Sequence, residues 1–153
     1  MKKPTLAVLL FTLAPALVAA QVTVKDPWVR ATVPEQRATG AFMQLTSPGG
    51  TRLVEARSPA AKTVEIHEMA MVDNVMKMRA VPGVDLPAGK PVDLKPGGYH
   101  VMLIDVKSQI KDGDSVPITL VFEGKDKKRE TVEVKAAARP LKPQAEAAKK
   151  HQH

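Results

Sequence analysis

The chain has no cysteine. Disulfides are therefore excluded, and so is any metal centre built on thiolate, including the His₂Cys core of a blue-copper electron carrier. Aromatic residues make up only 3% of the sequence, one Trp, one Tyr and three Phe, one of which is Phe11 near the N-terminus. That is too few for a base-stacking platform. Long apolar runs are scarce as well. The single candidate, Leu6 to Leu17, contains Pro15 and is too short to cross a bilayer comfortably, so no membrane span is expected.

What that run does resemble is a secretory leader. Met1-Lys2-Lys3 precedes it, and the small residues Val18-Ala19-Ala20 follow before Gln21. Cleavage after Ala20 sends a soluble chain out of the cytoplasm. The formal net charge of +7 shrinks once it is apportioned. Lys2 and Lys3 belong to the leader. From Lys135 onward five basic residues face only Glu146, which leaves +1 on residues 21–134. A near-neutral body with few aromatics makes nucleic acid a poor partner. The expected organisation is a signal peptide at 1–20, one folded domain at 21–135 and a flexible basic tail at 136–153, where Ala, Lys, Pro and Gln dominate. A monomer is the expected state.

Between Val22 and Val134 apolar and polar residues alternate with period two, and Gly, Pro or Asp clusters cut the pattern every eight to twelve positions. Nine strands are predicted: Val22–Val33 with a break at Pro27, Thr39–Thr46, Leu53–Arg57, Thr63–Met69, Val75–Ala80, Val92–Leu94, Tyr99–Val106, Val116–Glu123 and Glu130–Lys135. No helical period of useful length appears. This is an all-β chain, a Greek-key sandwich or barrel.

The chemistry lies in the methionines. Six follow Met1, and five of these fall between positions 69 and 102, interleaved with His67 and His100. Alternation puts His67 with Met69, Met76 with Met78, and His100 with Met102 on common faces. Each pair offers donors about 7 Å apart, and strands about 4.8 Å apart let several pairs converge on one ion. Thioether and imidazole are soft to borderline donors that favour Cu(I), whereas zinc recruits Cys or carboxylate and calcium wants oxygen. Methionine is also a common core filler. Met43, inside Ala41-Phe42-Met43, is expected in the core, and Met71 and Met76 are expected to pack or to stand behind the ligands.

His67, ten residues, Met78, twenty-one residues, His100, one residue and Met102 is similar to the signature of the periplasmic copper chaperones of the PCu(A)C family. Trp28-Val29-Arg30, Ala38-Thr39-Gly40-Ala41-Phe42-Met43, Glu65-Ile66-His67-Glu68-Met69, Val75-Met76-Lys77-Met78-Arg79 and Gly97-Gly98-Tyr99-His100-Val101-Met102-Leu103 also look like that family, over about residues 25–124. The resemblance implies a cupredoxin-like β-sandwich in the periplasm that binds one Cu(I) through His67, Met78, His100 and Met102. It implies delivery to the copper site of cytochrome c oxidase subunit II, alongside Sco-type chaperones, and no enzymatic activity. Met69 stands where the family often has a methionine and is an optional donor. His151 and His153 are either a second, Cu(II), site in the tail or two inert solvated side chains.

Three other readings stay open. A copper storage or resistance protein would use the same ligands. A metalloenzyme finds no Ser/His/Asp set here and only Glu68, on the strand face opposite His67, near the metal motif. A metal-free interaction module would keep the histidines and methionines buried and apart.

Overall fold

The computed structural model describes residues 21–140. The leader at 1–20 and the tail from residue 141, with His151 and His153, lie outside the described residues. Ten strands form: β1 (Thr23–Arg30), β2 (Ala38–Thr46), β3 (Thr51–Arg57), β4 (Ala61–Val72), β5 (Val75–Ala80), β6 (Val84–Leu86), β7 (Val92–Leu94), β8 (Tyr99–Val106), β9 (Ser115–Glu123) and β10 (Arg129–Arg139). Among the described residues there is no helix.

The strands follow the order β5-β4-β8-β2-β1-β10-β9-β3-β6, with β7 also paired to β2. β1 and β10 run parallel, and the other pairings are antiparallel. β3 and β4 stand six places apart in this order, yet only residues 58–60 join them. In a flat sheet the gap would be about 29 Å, whereas four Cα–Cα steps reach ~15 Å at most. The sheet must therefore curl until β3 and β4 pack together. The result is the expected all-β, cupredoxin-like sandwich.

Side chains on the inside of the curl make the core, with Val29, Leu45, Leu53, Val101, Leu103 and Phe122 at most 1% exposed. Met43 joins them, as the sequence suggests. Because the period is two, the alternate residues of β4, β8 and β2 point outward. His67, Met69, His100 and Met102 are in that outward set.

The predicted break at Pro27 is a register shift between Lys25 and Trp28 in the β1–β2 pairing, with Asp26 at φ +49°. Several strand bounds need correction: β1 ends at Arg30 rather than Val33, and β4 runs Ala61–Val72 rather than Thr63–Met69. β6 is a strand that the sequence reading leaves as loop, because Pro82-Gly83 and Pro87 frame only three residues. β10 continues through Arg139, four residues past the predicted strand end at Lys135. Ala136 and Ala138 are buried, and Ala138 pairs with the fully buried Val29. A composition that reads as tail supplies the small side chains this crowded position accepts.

Candidate metal centre

Asp73 and Asn74 have φ of +51° and +62°, the left-handed pair that a two-residue type I′ hairpin requires. This turn sets the register of β4 and β5: Val72 opposite Val75, Met71 opposite Met76, Met69 opposite Met78. On the other side of β4, β8 places His100 opposite His67 and Met102 opposite Glu65. β2 in turn places Gly40 opposite Met102. Directly opposed residues share a face, so four adjacent strands bring both histidines and the methionines onto one patch of outer surface.

The two imidazoles are each anchored through one nitrogen. His100 Nδ1 lies 3.1 Å from the Gly98 carbonyl oxygen; a carbonyl only accepts, so Nδ1 carries the proton and the Nε2 lone pair stays available. Gly98 is held in turn by the Lys95–Gly98 turn, where Pro96 and Gly97, at φ +86°, occupy the positions of a type II turn. His67 Nε2 lies 2.6 Å from Glu65 Oε2. With Nε2–H donated to the carboxylate, the remaining lone pair is on Nδ1, and Nδ1 is buried without any hydrogen-bond partner. A carboxylate that orients a ligating histidine from behind is the usual support for a metal site. The ring centres of His67 and His100 are 5.7 Å apart.

Burial pushes the His100 imidazole below its ordinary value. The hydrogen bond to Gly98 acts in the opposite sense, and the charges of His67 and Arg30 lower it further. A neutral ring is the form that binds metal.

A cleft of about 290 Å³ opens beside the histidines, lined by Met69, Met78, His100 and Met102 together with Gly40 and Phe42. Phe42 lies 6.2 Å from His100, and Trp28 packs on its other side at 4.6 Å. Gly40 makes room for this wall, since a Cβ there would come within 2.8 Å of the Phe42 ring. The guanidinium of Arg139 sits 5.8 Å from the Trp28 ring centre and pairs with Asp26 at 2.5 Å. Arg30 also borders the cleft, and its Nε is buried and unpartnered.

Three of the four expected ligands, Met78, His100 and Met102, thus share one cleft with the optional donor Met69. His67 does not line it; the ring stands against His100 with Nδ1 as its free nitrogen. Glu68 pairs with Arg79 instead of approaching the donors. Met71 and Met76 are 63% and 46% exposed, so neither packs in the core, which was one of the two places expected for them. Glu65, Gly98, Gly40 and Phe42 support the centre and were given no role from sequence. Gly40 inside a strand pattern was the one available signal, since such a glycine often marks a close approach.

The donor set is chemically narrow. Imidazole and thioether donors bring no negative charge to offset an ion's, and the Glu65 carboxylate is engaged by His67. That suits a soft monovalent ion and offers little to a hard divalent one.

Residues 22–136 match the family described as "Putative lipoprotein LpqE-like". Related sequences include "Putative lipoprotein Lxx21020" of Leifsonia xyli subsp. xyli, 32% identical over 109 residues, or 71% of this chain and 66% of that protein. "Uncharacterized protein RP573" of Rickettsia prowazekii is 33% identical over 124 residues, 77% and 67% of the two chains. The chain therefore spans just under two thirds of the Leifsonia relative. Among solved structures, the apo PCuAC domain from PmoF1 superposes with a TM-score of 0.65 at 26% identity, covering 80% of this chain and 96% of that one. The Cu(I) form of DR1885 from Deinococcus radiodurans superposes with a TM-score of 0.60 at 32% identity, covering 83% and 84%. The chain belongs to the LpqE-like family and has the fold of the PCuAC domains.

Proposed function

We propose that this protein is a periplasmic Cu(I) carrier that holds one ion with His67 Nδ1, His100 Nε2, Met78 and Met102, with Met69 as an optional fifth donor. The observation that carries this reading is the pair of anchored imidazoles. Each has one nitrogen tied to a carboxylate or carbonyl; His67 Nδ1 is buried without a partner, and His100 shares its cleft with Met69, Met78 and Met102. A related protein, DR1885, has been solved with Cu(I).

The grading of exposure supports carriage over permanent holding. His100 is 4% exposed, whereas Met78 is 49% exposed. An incoming ligand can displace the Met78 thioether first while the histidines retain the ion. The recipient, by family resemblance, is the copper site of cytochrome c oxidase subunit II, reached alongside Sco-type chaperones.

The test is anaerobic titration with Cu(I) against a chromophoric chelator, with Zn(II) and Cu(II) in parallel. One equivalent of Cu(I) should bind with the chelator unable to compete fully. The variant His100→Ala should lose this binding, as should Met102→Leu, which keeps the apolar bulk of the side chain. Failure of the parent protein to compete would reject the reading. A parent that binds Cu(I) but never yields it to an apo subunit II fragment would be a storage protein.

A further inference from the structure

The β4–β5 hairpin carries two opposed methionine pairs on one face, Met69 with Met78 and, one rung farther out, Met71 with Met76. Only the inner pair lines the cleft. The outer pair is largely solvent-exposed, so packing does not account for it. All of β5 is exposed, and it pairs only with β4 at the end of the sheet. Edge strands are usually defended by charge. Here Lys77 and Arg79 take the opposite face, and the face that leads to the cleft presents thioethers instead.

Opposed side chains have Cβ atoms about 4.5–5.5 Å apart. Methionine has three rotatable bonds and a polarisable sulfur, so two opposed sulfurs can close on a single ion. The next rung is about 7 Å along the strands, near enough for Met69 or Met78 to contribute a third sulfur. We propose that Met71 and Met76 form a second, weaker Cu(I) subsite at the hairpin tip, through which the ion enters and leaves the cleft. The proposal rests on the reading of the cleft as a Cu(I) site. Without imidazole, the tip holds the ion less tightly than the cleft does. On entry each Cu–S bond to the tip breaks as a Cu–S or Cu–N bond to the cleft forms, exit reverses this, and the ion remains Cu(I) with no proton or electron moved.

The experiment compares the parent protein with M71L/M76L, in which leucine keeps the apolar bulk and removes the sulfur. Affinity for the first equivalent of Cu(I) should be the same in both. The rate at which a chromophoric chelator strips that equivalent should fall about tenfold in the variant, equivalent to ~1.4 kcal/mol on the exchange barrier. With methyl-labelled methionine, the Met71 and Met76 methyl resonances of the parent should shift as a second equivalent of Cu(I) is added. Equal stripping rates, or methyl resonances that stay in place, would overturn the subsite and leave the pair as an apolar contact surface. A parent that fails to bind the first equivalent would overturn the cleft reading itself, and the affinity arm alone detects that.

Discussion

Each histidine of the proposed site is anchored through one ring nitrogen, and the partner of that nitrogen decides which lone pair is free. For His100 this arrangement has a pH consequence in the apo protein. Its folded pKa lies below the unfolded value of about 6.5 because burial disfavours the charged ring. Between the two values the unfolded chain binds more protons. The stability that this group contributes is therefore present in full above ~6.5 and is lost as pH falls through the folded pKa. Thermal unfolding of the apo protein should show a midpoint that declines on acidification through that window, and His100→Gln should flatten this part of the profile. A parent profile that is already flat there would remove His100 as a source of the pH dependence. At this scale the sequence offered candidate donors and no sign of the groups that anchor them. Met78, His100 and Met102 stand out by residue type and spacing. Glu65 and Gly98 are each two residues from the histidine they anchor, but only the register shows that a carboxylate and a carbonyl reach a ring nitrogen.

The β4–β5 hairpin is the element on which the thioethers depend. Its two-residue turn fixes Met69 opposite Met78, and side chains alternate faces with period two. One glycine inserted between Asp73 and Asn74 shifts the register by a residue and turns Met78 away from the cleft. Cu(I) affinity should fall by at least about tenfold, or ~1.4 kcal/mol, while circular dichroism and the unfolding midpoint remain near those of the parent, because β5 contributes nothing to the core. An affinity equal to the parent's would mean that Met78 is not a ligand. Elements were legible where alternation was long and bounded by turn residues. β6 was missed because three residues between prolines carry too short a pattern. The last four residues of β10 were missed because Ala136 and Ala138 look like tail until β1 is seen beside them.

In the whole molecule, the curl of the sheet separates the two tasks of the chain. Inner side chains of β4, β8 and β2 hold the fold together, and outer side chains of the same strands form the site. Function and stability should therefore respond separately to mutation. Met78→Ala should weaken Cu(I) binding by about tenfold or more yet change unfolding stability by less than ~0.5 kcal/mol, the range of ordinary surface substitutions. Chelator competition and denaturant titration on one preparation check both halves, and a variant that unfolds would contradict the outer placement. The fold class was legible from period-two patterning and the absence of helical stretches. Closure was not: it depends on a strand order in which β3 and β4 are neighbours in sequence and distant in the sheet, and no local pattern encodes that order.

The wall of the cleft has one more consequence. Trp28 is the only tryptophan in the chain, and it rests on Phe42, which in turn faces His100. Indole emission is sensitive to nearby charge and to motion of its neighbours, so the protein carries its own optical gauge of the site. An ion settling on His100 would register as a change in native fluorescence, with no dye, label or chelator in the cuvette.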